Sequence, residues 1–192
     1  MTPEMASTFA ALLLAHVLAD FVFQTNAMAA KKRETLTLFL HAAIVVGVTY
    51  AALGHLFTWI PLAIGAAHLC IDAIKARATP SLTSFALDQA GHVVTIVIAA
   101  KMAPTLFVQG IWPSELATLM VYIAGFIIAT LAGKYAIALL MEQFSGEEPL
   151  ATDETKTLPS GGQWIGYLER AIIFLFVMVG QPTGIGFLIA AK

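Results

Sequence analysis

Seven ionisable residues recur at helical spacing in the first half of a chain that is otherwise poor in charge. His16 and Asp20, His68 and Asp72, and Asp88 and His92 each stand four apart, and His41 lies between the first two pairs. Four residues make about one turn of an α-helix, so each pair sets an imidazole and a carboxylate on one face. Imidazole with carboxylate is a donor set for a divalent metal, zinc first, with iron, manganese and nickel also suited. A catalytic zinc has three protein ligands and an open position for water. His16, Asp20, His41, His68, Asp72, Asp88 and His92 are therefore the candidate metal ligands. They are enough for one metal with the partners that orient its ligands, or for two metals. His41 would complete a three-histidine set with His68 and His92, whereas His16 reads as an orienting partner. Metal lowers the pKa of bound water to about 7. A carboxylate left free among Asp20, Asp72 and Asp88 would then serve as general base. The same residues also suit a proton or ion relay, and a single His/Asp pair taken alone reads most simply as a polar bridge between helices.

The elements that must position these groups follow from composition. Of 192 residues, 59% are hydrophobic and 11% charged, and the mean hydropathy is +0.84. A soluble domain carries about 25% charged residues, so a conventional soluble enzyme, a disordered tail and a disulfide scaffold are excluded. The expected fold is all-α, a single polytopic transmembrane helix bundle over 1–192. Runs of roughly 20 apolar residues place spans at about Phe9–Ala30, Leu36–Leu53, Phe57–Ile74, Phe85–Ala103, Glu115–Met141 and Trp164–Val179. That is about six, and Thr183–Lys192 reads as the start of a seventh or as an interfacial segment. Gln143–Gly162 is polar and acidic and reads as a solvated cytoplasmic loop. Lys31, Lys32 and Arg33 follow the first span and Lys75 and Arg77 the third, so these loops are expected in the cytoplasm, with the N-terminus outside. On that topology the His and Asp residues of four spans fall at similar depth in the inner half of the membrane, with His16 nearest the middle.

Outside the cluster, Lys134 lies within the fifth span and Glu169-Arg170 at the start of the sixth. A snorkelling lysine and a local ion pair are the ordinary reading. The sharper one is that Lys75, Lys134 and Arg170 converge at the inner mouth and hold an anionic head group, with Gln24 and Gln89 as further substrate or interhelical hydrogen-bonding groups. Cys70 is the single cysteine and reads as a buried packing residue. A net charge of -2 gives no basic surface for nucleic acid. Membrane lipids are the expected surroundings, an anionic or lipid-linked small molecule the expected substrate, and a homo-oligomer is left open.

The motifs also resemble a known family. Ala15-His16-Val17-Leu18-Ala19-Asp20-Phe21-Val22-Phe23-Gln24-Thr25, then His41, then His68-Leu69-Cys70-Ile71-Asp72-Ala73-Ile74-Lys75, then Phe85-Ala86-Leu87-Asp88-Gln89-Ala90-Gly91-His92 are similar to the signature of a bacterial integral-membrane family, domain of unknown function 3307. Gly166-Tyr167-Leu168-Glu169-Arg170 and Gly186-Phe187-Leu188-Ile189-Ala190-Ala191-Lys192 fit its later part. The resemblance implies a bacterial inner-membrane protein whose relatives continue into a further helix, and it implies no activity. In motif chemistry alone there is a looser similarity to membrane-embedded metal hydrolases that use three histidines and an aspartate. The expected function is a metal-dependent membrane hydrolase acting on an amphiphilic or lipid-linked substrate at the cytoplasmic side. A transporter of protons or divalent cations, and a non-catalytic membrane subunit, are the alternatives.

Overall fold

The computed structural model describes residues 1–142, 144 and 161–190. Among these, every regular element is a helix. Helix α1 (Pro3–Leu18) starts at Thr2, whose hydroxyl accepts from the Met5 N–H at 3.3 Å, with a proline in the first turn. It runs into a π-helical turn, Ala19–Phe23. The chain then turns at Thr25, which caps a short helix, α2 (Asn26–Ala30). The first expected span is thus shortened at its C-terminal end and extended at its N-terminal end. Helix α3 (Thr35–Leu53) ends at Gly54, whose φ of 63° is the left-handed conformation that closes helices at glycine. Helix α4 (Ile60–Lys75) carries Pro61 in its first turn. Helix α5 (Leu82–Met102) opens with Ser81 and Ser84 bonding each other's backbone N–H, both at 3.0 Å. Helix α6 (Leu116–Ile127) leads through a second π-helical turn, Ile128–Ala132, into α7 (Gly133–Glu142). Helices α8 (Gly161–Met178) and α9 (Thr183–Ala190) follow.

Among the described residues, four helices are long and apolar enough to cross a membrane, namely Pro3–Phe23, Thr35–Leu53, Leu82–Met102 and Leu116–Glu142. Of the six expected spans, those at Phe57–Ile74 and Trp164–Val179 have no counterpart among these four. Helix α4 has 16 residues, about 24 Å at 1.5 Å per residue, short of a hydrocarbon core of about 30 Å. Helix α8 includes Gln163, Glu169 and Arg170 among its 18 residues, which dilutes its apolar character. The expected polar loop, 143–162, lies almost wholly outside the described residues.

The described chain divides into two compact units, Met1–Gly125 and Phe126–Lys192. In the first, α1 packs on α3 and α5, and α4 packs on the same two helices, so the four form a closed ring. Helix α1 is the most enclosed of the four candidate spans. Away from the functional residues its core is held by Thr8, whose hydroxyl donates to the Pro104 carbonyl at 2.8 Å and accepts the Phe107 N–H at 3.1 Å. Trp112 ties the far end of α3 by donating its indole N–H to the Ala51 carbonyl. Apolar side chains such as Leu40, Val94 and Ile98 face outward, as lipid contact requires. Cys70, expected to be buried, is exposed on α4 because the inward stripe of that helix is taken by Ile64, His68 and Asp72. In the second unit α8 packs on α7 and on its preceding π turn, and Phe174 meets Phe126 edge to face.

Candidate functional site

Each side of the four-helix ring delivers polar side chains to its axis. The π turn after α1 brings Asp20, α3 brings His41, α4 brings His68 and Asp72, and α5 brings Asp88, Gln89 and His92. His16 comes from the last turn of α1. The six residues other than Asp20 among the candidate ligands are buried, and the Asp20 side chain is only 6% exposed. The structure therefore brings all seven together.

Four donor atoms gather about the pair of imidazoles from His41 and His68, three of them, from Asp20, His41 and His68, mutually close. Nε2 of His41 and Nε2 of His68 lie 3.0 Å apart. Oδ1 of Asp20 is 3.3 Å from the first and 3.2 Å from the second. Oδ2 of Asp72 is 3.5 and 3.6 Å from the same two nitrogens. A tetrahedral shell with metal–ligand bonds of about 2.0–2.1 Å has donor–donor edges of about 3.3 Å. The Asp20–His41–His68 triangle, with edges of 3.0–3.3 Å, lies close to that value, and Oδ2 of Asp72 stands further out across the His41–His68 edge. The chemistry of the donors agrees, since two imidazoles and two carboxylates suit zinc and other first-row divalent ions.

The outer atoms of both carboxylates are held in place. Oδ1 of Asp72 accepts from Lys32 Nζ at 3.0 Å, while its Oδ2 has no hydrogen-bond partner among the described residues. Oδ2 of Asp20 accepts from the Gln89 amide at 3.4 Å, and Oδ1 is the atom turned to the two imidazoles. Each carboxylate thus turns one oxygen inward and anchors the other, the arrangement expected of an oriented ligand.

Beside these four atoms sits a second group. Asp88 accepts on Oδ2 from Lys75 and from the Gln89 amide. Its Oδ1 stands 3.5 Å from Nε2 of His92, and both atoms are buried without a hydrogen-bond partner among the described residues. A donor atom of Asp72 lies within 4.8 Å of this pair, so the two groups are contiguous. The His92 ring stacks on His68 with centroids 3.9 Å apart. Nε2 of His16 donates to the Gln89 amide oxygen at 3.2 Å, and the His16 ring lies against that of His92. A narrow pocket with room for about one water is bounded by His16, His68 and His92 and, one turn further along each helix, by Leu12, Thr49, Ile64 and Thr95.

Residues 8–130 match the family described as Protein of unknown function (DUF3307). The chain belongs to this family. The DUF3307 match contains every His and Asp of the cluster, together with Gln24, Lys32, Lys75 and Gln89. Lys134 and Arg170 lie beyond it. Comparison with curated proteins and with solved structures gives no match.

The remaining candidates divide between the two units. In the DUF3307 region Lys75 is engaged by Asp88, Gln89 bridges Asp20 and Asp88, and the buried Gln24 amide nitrogen has no hydrogen-bond partner among the described residues. In the second unit Lys134 stands 5.7 Å from the Tyr135 ring, and Arg170 lies close to Gly133 and Gly166, where a larger residue would crowd it. One group escaped the sequence reading. Lys32 follows the first span and reads there only as a topology signal, yet its ammonium is the partner of the most enclosed aspartate. No spacing rule links residues 40 apart in sequence.

Proposed function

We propose that this protein is a metal-dependent membrane hydrolase, with a divalent ion held by Asp20, His41, His68 and Asp72. The observation that carries this reading is the triangle of donor atoms from Asp20, His41 and His68, with edges of 3.0–3.3 Å, and the Asp72 oxygen 3.5–3.6 Å from both of its nitrogens. Charge supports it. Asp20, Asp72 and Asp88 oppose only Lys32 and Lys75 in the cluster, leaving one negative charge if the imidazoles are neutral. That charge rests on Asp20, which faces three histidines and, among the described residues, no lysine or arginine. A buried uncompensated carboxylate is costly, and a cation at the shared point removes the cost. Zinc fits the edges. Binding water there requires the ion to expand to five ligands, which zinc can do, or to be a metal of higher coordination number. The bound ion would supply an activated water. Asp88 and His92 are placed to take its proton, with Lys75 and Gln89 fixing the other oxygen of Asp88. With the N-terminus outside a bacterial inner membrane, this site opens toward the cytoplasm, where an amphiphilic or lipid-linked substrate would meet it.

The test is metal content of the purified full chain, followed by hydrolysis of amphiphilic ester and phosphoester probes with and without chelator. Asp88→Asn should keep its metal and lose about 10²–10⁴ of the rate, the usual contribution of a general base. A folded protein that contains no metal and resists loading would remove the hydrolase reading.

The pocket beyond His16, His68 and His92 supports a second reading, a carrier of protons or divalent cations, because its lining continues from the cluster to Leu12, Thr49 and Ile64, toward the helix ends opposite Lys32 and Lys75. Single cysteines at Thr49 and Thr95, in a Cys70→Ser background, should then be labelled from the outer face. Labelling from neither face or only from the cytoplasmic side would leave transport without support.

A further inference from the structure

We propose that a basic groove beside the His/Asp site binds the phosphate head group of a lipid. This names a substrate class for the hydrolase reading above and rests on it. The groove, of about 440 Å³, is lined by Lys32, Arg33 and Arg77 with Thr35 and Leu38, and its floor is the end of α4 at Ala73 and Ala76. No carboxylate lines it. Glu34, next in sequence, pairs instead with Lys31 at 3.8 Å.

Both arginines are positioned by the backbone and not by acids. Nε of Arg33 donates to the Ala76 carbonyl at 3.2 Å, and Nη1 of Arg77 donates to the Ala73 carbonyl at 2.9 Å. Neither has a carboxylate partner among the described residues. Each keeps further guanidinium N–H groups for a ligand. Two planar forks and an ammonium around one opening are the donors that recognise a phosphate. The connection to chemistry is Lys32, which lines the groove and touches Asp72. A phosphate held here is one side chain away from the proposed metal ligand.

The surroundings select a lipid over a soluble phosphate. Leu38 forms part of the lining, and Leu36, Phe39 and Leu40 are exposed on the first turns of α3, with Ile74 exposed on α4. Acyl chains can lie along these side chains while the head group occupies the basic end.

The experiment uses the full chain in a neutral detergent. Binding of dioctanoyl phosphatidate is compared with binding of glycerol phosphate, in the parent and in an Arg33→Gln/Arg77→Gln double variant, with metal content measured in every preparation. Phosphatidate should bind about tenfold or more tightly than glycerol phosphate, and the double variant should lose about tenfold or more of phosphatidate affinity with its metal content unchanged. An Arg33→Lys/Arg77→Lys variant, which keeps charge and loses the forks, should recover part of that affinity. A Gln/Gln variant that binds phosphatidate as the parent does would overturn the proposal. Equal binding of glycerol phosphate would overturn it as well, by making the groove a site for soluble phosphates. If the parent binds phosphatidate through both arginines but holds no metal, the groove stands and the hydrolase reading falls.

Discussion

His68→Ala is expected to abolish binding of the proposed metal. Nε2 of His68 lies within 3.6 Å of three other candidate donors, those of Asp20, His41 and Asp72. Four-ligand zinc sites bind with about 10–16 kcal/mol, so one ligand's share is about 3 kcal/mol, or about a hundredfold in affinity. His16→Ala should cost less, about tenfold, because the Nε2 of His16 is directed to Gln89 and its ring lies against His92, so it acts on the ion only through neighbours. The measurement is metal per chain after size exclusion, paired with the unfolding temperature of each variant. The ranking is the diagnostic. A purely structural network would make the two histidines differ in stability alone, with no metal to lose. Retention of metal by His68→Ala at the parent level would move the ion elsewhere.

Lys32→Met should give the largest change in stability, and the change should depend on metal. Asp72 is 1% exposed, and Lys32 is its only lysine or arginine partner among the described residues. Removing one member of a buried pair costs about 3–5 kcal/mol because the remaining charge stays buried and unpaired. A divalent ion on Oδ2 of the same carboxylate would offset much of that. The unfolding midpoint of Lys32→Met should therefore fall steeply in chelator and modestly in zinc. Lys75→Met should fall less in chelator, since Lys75 is 28% exposed and water can reach the opening it leaves. Equal losses with and without chelator would mean that no ion shares Asp72.

The cluster could be read from sequence because its organising rule is local. His68/Asp72 and Asp88/His92 lie on continuous helices, where four residues always return to one face. Their meeting across helices followed from depth, which the alternating direction of the spans sets approximately. What escaped reading obeys no local rule. The π turn that carries Asp20 has the same apolar composition as the α-helix before it, and nothing in residue type marks the change of winding. Such turns are rare and recur at functional positions. The Lys32–Asp72 and Lys75–Asp88 pairs depend on how the loop after α2 and the end of α4 fold back. The number of spans is less legible for a different reason. Helix α4 is apolar but short, and a hydropathy run cannot tell a full crossing from a helix sheltered by its neighbours.

The four inward atoms belong to three separate helices, and this has a consequence for how the protein is made. Asp20 leaves the ribosome 21 residues before His41, and a further 27 separate His41 from His68. Until α4 arrives, the nascent chain holds an aspartate in an apolar segment with half of its eventual surroundings still unsynthesised. Helix α4, which supplies His68 and Asp72, is thus the element whose synthesis gives Asp20 and His41 their partners across the ring.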